Sequence, residues 1–214
     1  MATEQTRARI LETAERLFAE RGFESTSVRS LTKAADVNLA AVHYHFGSKE
    51  GLIEALLRMR LEPLAEWRMR RFRQLAAQDH IELRDVLLAF VEPAVRISRD
   101  PSRGGMRLMP LLVRTYTEPN THVQAVLEES AAPQFEQFLA LLRRCLPHLT
   151  HAELSWRVHF LIGAKSHAMA DVKWLDQLSQ GACDPYDADA ILENLIPFLE
   201  AAMLQGAPTP VRSF

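Results

Sequence analysis

Residues 26–56 read TSVRSLTKAADVNLAAVHYHFGSKEGLIEAL, and the spacing within this stretch decides the architecture. Thr26 and Ser27 are N-cap residues, whose hydroxyls accept from the free N–H groups of a first helical turn. Val28, Leu31 and Ala35 then form an apolar stripe at helical spacing, predicting a short helix that stops near Asp36. Asn38 caps a second short helix through Leu39, Val42, Tyr44 and Phe46, and Gly47 ends it. Ser48 opens a longer helix that turns Leu52, Ile53, Leu56 and Leu57 inward. Helices of about eight residues are marginal alone in water, so two in succession must be propped by a neighbour.

The neighbour lies just upstream. Ile10, Ala14, Leu17 and Phe18 make one apolar helix face, with Glu12, Glu15, Arg16 and Glu20 on the others. Gly22 follows Arg21 as a helix-ending residue, and Phe23 folds back onto the helix. The two short helices, meeting across Asp36 and Val37, therefore read as a helix-turn-helix. Leu39, Val42 and Phe46 supply its expected buried face, while Asn38, Ala41, His43 and Tyr44 point elsewhere. The small Ala40 and Ala41 would let the helix approach base edges closely. Arg29, Lys33 and Lys49, with His43 and His45, outweigh Asp36 between residues 25 and 49, whereas the acids sit mainly on the first helix.

The rest of the chain is compatible. Of 214 residues, 48% are hydrophobic and 24% charged, ordinary for a globular protein, which excludes a disordered chain, a collagen or a coiled-coil rod. Eight Gly and eleven Pro are too few for the many turns of an all-β sandwich or barrel. The formal net charge of −2 leaves no bulk basic field, so any nucleic-acid contact must be local. Cys145 and Cys183 alone make neither a disulfide scaffold nor a zinc site, and suit a reducing cytosol. No signal-like or membrane-spanning run is visible, so a cytoplasmic location is expected. Helical periodicity continues to about residue 202. Pro63 is expected to bend or end the connecting helix, Pro197 to kink the last one, and Thr150 with Glu153 to form a capping box.

The quoted stretch, preceded by ILETAERLFAERGFEST, resembles the DNA-binding domain of TetR-type transcriptional regulators over about residues 7–57. The resemblance lies in an ordered set: the first helix, the G-F-x-x-T turn, the short second helix, the Y-H-F end of the recognition helix and the S-K-E opening of the next. It implies an all-α fold: a helix-turn-helix domain (1–52) followed by a larger helical ligand-binding and dimerisation domain (53–214). It implies that Thr26, Ser27, Tyr44 and Lys49 contact phosphates, that Arg29 reaches a guanine edge, and that Asn38, Ala41 and His43 read bases. Two positions depart from the family pattern: His43 stands where many members have Tyr, and Asp36 where many have Gly. Sequence preference therefore cannot be carried over from relatives, and the turn must tolerate a non-glycine residue. Residues 37–49 together with RLMPLLVRTYTEP at 107–119 are similar to the branch of fatty-acid-responsive repressors.

Phe90, Met106, Met109, Phe135, Phe138, Trp156 and Phe160 are candidates to line an apolar ligand cavity; plain core is the alternative for each. Arg107 and Arg114 are candidates for an anionic head group, or solvated cations. Gly163, Ala164, Ala168 and Ala170 permit close helix approach, and Leu195, Leu199 and Met203 could pack there, as in the intersubunit four-helix bundle that the resemblance implies. Phe46 reads as core, and Tyr44 as a phosphate contact with core as its alternative. His43 and His45, two apart on a helix, do not face one another, so no metal is expected; His148 and His151 read as cap or surface groups. No Gly-rich phosphate loop, H-E-x-x-H or nucleophile elbow points to an enzyme, and no cofactor is expected. The expected partners are duplex operator DNA, a second copy of the chain and a small effector, fatty acid or acyl-CoA among the candidates. The effector is expected to release DNA, with activation on binding left open. The rival reading is a helical ligand-binding or interaction protein that never touches DNA.

Overall fold

A computed structural model describes residues 2–100, 107, 121–170 and 172–206. Among these every regular element is an α-helix: α1 (Ala2–Arg21), α2 (Val28–Ala35), α3 (Leu39–Phe46), α4 (Lys49–Ala76), α5 (Leu83–Arg99), α6 (Thr121–Cys145), α7 (His151–Ala170), α8 (Val172–Ser179) and α9 (Ala188–Leu204). No helix of the described residues is long and apolar enough to cross a membrane.

The local punctuation acts as its residue types dictate. Gly22 takes φ +90° and its N–H reaches Phe18 O at 2.9 Å, closing α1 and bringing the Phe23 ring within 5.3 Å of Phe18. Ser27, Asn38 and Ser48 each accept a backbone N–H three residues on, at 3.1, 2.8 and 3.0 Å. Asp36 ends α2 in the left-handed region (φ 50°, ψ 56°), the conformation short polar side chains tolerate best after glycine. Arg9 of α1 donates to its carbonyl at 3.2 Å. The capping box at α7 forms as expected, with Glu153 accepting from Thr150 N at 2.9 Å and donating its own N–H back to Thr150 Oγ1 at 3.3 Å.

Among the described residues four prolines lie inside helices. α4 continues through Pro63, and α5, α6 and α9 contain Pro93, Pro133 and Pro197. Packing of Leu61 and Leu64 on either side holds α4 together across the missing N–H. α7 and α8 together cover the stretch from His151 to Ser179 on either side of residue 171, which lies outside the described residues.

Two hydrophobic cores result. The smaller gathers Ile10, Ala14, Leu17 and Phe18 of α1, Leu31 of α2, Val42 of α3 and Leu52 to Leu61 of α4. The larger contains Phe72 of α4, Phe90 of α5, Phe138 and Leu142 of α6, Leu161 of α7 and Leu195, Leu199 and Met203 of α9. Two helices belong to both. α4 crosses from one core to the other between Leu61 and Leu64, and α6 sends Val123 and Val126 into the smaller core while its other end fills the larger. A division at residue 52 or 53 therefore falls within shared packing.

One close approach fixes the angle between α3 and α4. A Cβ at Gly51 would collide with Phe46 O, a backbone atom that cannot swing aside. Gly51→Ala is therefore expected to push the end of α3 outward. A loss of roughly 1–3 kcal/mol follows, measurable by urea unfolding.

Candidate nucleic-acid interface

The outer side of α3 and its surroundings form an open face. Val42 is 1% exposed and anchors the helix, whereas Asn38, Ala40, His43 and Tyr44 are exposed, Tyr44 at 79%. Ala41 is half-buried. Ser27, Arg29 and Lys33 are exposed beside them on α2, and Lys49 stands half-buried in the first turn of α4. Each of the three capped N-termini, at Ser27, Asn38 and Ser48, has backbone N–H groups and a positive dipole end of the kind that suits an anion.

The structure corrects two expectations here. Leu39 is 46% exposed instead of buried: in an eight-residue helix a single anchor, Val42, suffices, and Leu39 falls on the outer face. Thr26 is 1% exposed, and its hydroxyl donates to Gly22 O at 2.8 Å, so it ties the turn to α1 and is turned away from any phosphate. Ser27 alone caps α2. Asn38 is exposed, but its Oδ1 is engaged by Ala41 N, which leaves only its Nδ2 to donate to a base. The His43 Nδ1–H donates to Gly47 O at 2.7 Å, which leaves Nε2 facing outward as an acceptor in the neutral ring.

Two residues escaped the sequence reading. Thr3 and Thr6, in the first turns of α1, line a shallow groove with Asn38, Ala41, Tyr44 and His45. Only the packing of α1 across α3 brings them there.

In the larger core Phe90 and Phe138 are buried and stacked, with centroids 4.1 Å apart, and Phe135 meets Phe90 edge-on at 6.2 Å. Phe160, expected among them, is 64% exposed on α7 and stacks on Trp156, itself 63% exposed. Met106, Met109 and Arg114 lie outside the described residues. Arg107 is described and half-buried. Leu195, Leu199 and Met203, expected at an intersubunit contact, are instead 9%, 2% and 1% exposed within their own core. The apolar surface that α7 and α9 leave open consists of Trp156, Phe160, Phe198 and Leu204, beside exposed Gly163 and half-buried Ala164 and Ala168.

A capped helix pair, held on one side and open on the other, above an all-helical body, defines the helix-turn-helix class of nucleic-acid-binding proteins. Residues 10–56 match the bacterial regulatory proteins of the tetR family, and residues 88–202, more than half of the chain, match the tetracyclin repressor-like C-terminal domain. The chain belongs to the TetR family, a family of regulators and not of enzymes. Over 52 residues it is 48% identical to the probable HTH-type transcriptional regulator YttP of Bacillus subtilis (strain 168), covering 24% of this chain and 25% of that one. Over 61 residues it is 44% identical to the HTH-type transcriptional repressor AcnR of Corynebacterium glutamicum, covering 28% and 32%. The matches span about a quarter to a third of those relatives' lengths. Among solved structures, the TetR family transcriptional regulator PfmR from Thermus thermophilus has the same fold, with a TM-score of 0.63 at 19% identity over 92% of this chain and 100% of that one.

Proposed function

We propose that the chain is a ligand-responsive transcriptional repressor that binds a pseudo-palindromic operator as a homodimer. The observation that carries this reading is the outer face of α3: Asn38, Leu39, Ala40, His43 and Tyr44 open to solvent on a helix that Val42 anchors. Asn38 Nδ2 and His43 offer polar contacts to base edges, and Leu39 offers an apolar surface for a thymine methyl. Ser27, Tyr44 and Lys49 grip phosphates, and Arg29 reaches toward a guanine.

One such helix touches too little DNA for tight binding, so two heads about one helical turn apart are required. A second copy seated on Trp156, Phe160, Phe198 and Leu204 would set that distance. The effector, an apolar or acyl-type molecule in the larger core, releases DNA by favouring a dimer with the wrong separation. Its preference must be about 5.5 kcal/mol to invert a 99:1 population. α4 and α6, present in both cores, are the rigid elements able to carry the change.

The test is a gel-shift assay on DNA upstream of the chain's own reading frame. A salt-sensitive, sequence-specific shift is expected, and its absence at every site tried would reject the reading. Lys49→Ala should weaken all sequences alike and reduce the salt slope by about 2, one phosphate contact being lost from each subunit. Asn38→Ser keeps a capping oxygen but loses the amide donor, so it should relax preference at one base pair with little change in folding. If both variants bind like the parent, the surface assignment is wrong.

A further inference from the structure

Two cations share one aromatic ring inside the larger core. Arg68 of α4 is 7% exposed. Its Nε donates to Phe90 O at 2.9 Å and its Nη1 to Gln134 Oε1 at 3.2 Å, while Nη2 is buried with no partner among the described residues. The guanidinium carbon lies 4.4 Å from the Phe90 centroid. Lys165 of α7 is half-buried as a residue, and its Nζ turns inward to lie 4.8 Å from the same point. Phe138 stacks on Phe90 at 10°, covering one side of the ring, so both cations gather on the other.

Several other arginines meet acids: Arg58 meets Glu129, Arg60 meets Glu15, and Arg96 meets Glu92 and Asp189, while half-buried Arg99 is held by the carbonyls of Ala168, Met169 and Pro185. Among the described residues neither Arg68 nor Lys165 has a carboxylate partner. A ring quadrupole and two neutral acceptors replace only part of the water these charges lost. The cost is visible in both groups. Burial lowers Arg68 to about 9, and burial together with the neighbouring Arg68 lowers Lys165 to about 7. Two unpaired like charges do not help this core fold.

We propose that Arg68 and Lys165 form the head-group site for an organic carboxylate whose apolar body lies against the Phe90, Phe135 and Phe138 cluster. This deepens the ligand-responsive reading above and rests on it. The anion supplies the missing counter-charge, one oxygen accepting from the free Arg68 Nη2 and the other from Lys165 Nζ. A thioester carries no charge at that position, so the site takes a free acid in preference to its coenzyme A ester.

The experiment is thermal unfolding of the full chain at pH 6.5 with octanoate and benzoate, each against its alcohol, 1-octanol or benzyl alcohol. At least one acid is expected to raise Tm while its alcohol does not. Lys165→Met and Arg68→Gln should each weaken that acid's apparent affinity at least tenfold. Without ligand, Lys165→Met should raise Tm by roughly 2–4 °C, since an unpaired charge is gone; it also guards against an Arg68 variant that fails to fold. The proposal is overturned if neither acid stabilises the protein, if the alcohols do as well as the acids, or if Lys165→Met lowers Tm and leaves acid binding intact. Operator gel shifts on the same samples separate the two readings. DNA binding with no response to either acid removes the head-group site alone, and acid binding with no operator shift removes the repressor reading alone.

Discussion

Phe160→Glu combined with Phe198→Glu is expected to give a folded monomer that has lost its hold on operator DNA. Both rings are more than 60% exposed, so a carboxylate at either position is solvated in the single subunit and costs its own fold little. In a dimer packed through α7 and α9, four new carboxylates would be forced against apolar surface and against one another. Sedimentation equilibrium should return the mass of one chain. Linkage of two reading heads contributes a factor of about 10²–10⁴ in affinity, and the variant should lose that factor at a palindromic site. Unchanged mass would show that the exposed rings serve something other than pairing.

Arg60→Met is expected to have the largest effect on stability. Glu15 of α1 is fully buried, and Arg60 of α4 holds it through two contacts, Nε to Oε1 at 2.6 Å and Nη2 to Oε2 at 2.5 Å. Removing the cation leaves a carboxylate out of water with its main partner gone, which costs about 3–5 kcal/mol. Chemical denaturation should report that loss. The double variant Glu15→Met with Arg60→Met should recover most of it, because two apolar groups of similar volume replace the pair. If the double variant is no better than the single, the pair is not what α1 and α4 depend on.

Some of this was legible before any coordinates. Ser27, Asn38 and Ser48 cap because their short oxygens reach a backbone three residues on, a property of the local chain. Gly22 and the Thr150–Glu153 box are of the same kind. Leu39 was not legible, since in eight residues the helical period does not distinguish an anchor from its neighbour, and the choice belongs to α1 and α4. Thr26 has the composition of a cap, yet its hydroxyl finds the carbonyl of Gly22 first. Leu195, Leu199 and Met203 were misassigned for a related reason. α9 is apolar on two sides, and only the body of the protein decides which side it covers, leaving Phe198 and Leu204 outside. Arg68 and Lys165 sit on helices where a cation is ordinarily solvated, and nothing in residue order reveals that both converge on Phe90.

The way α4 and α6 are shared has a bearing on how such proteins diversify. A reading head cut away after Leu61 would carry a notch where Val123 and Val126 had been seated, some sixty positions further along the chain. Swapping heads between relatives is thus a graft of two separate pieces, and a chimera joined at one point alone inherits a badly fitting seam. Lineages that exchange effector chambers while keeping an operator must preserve those two valines, or replace them together with the floor of the head they plug.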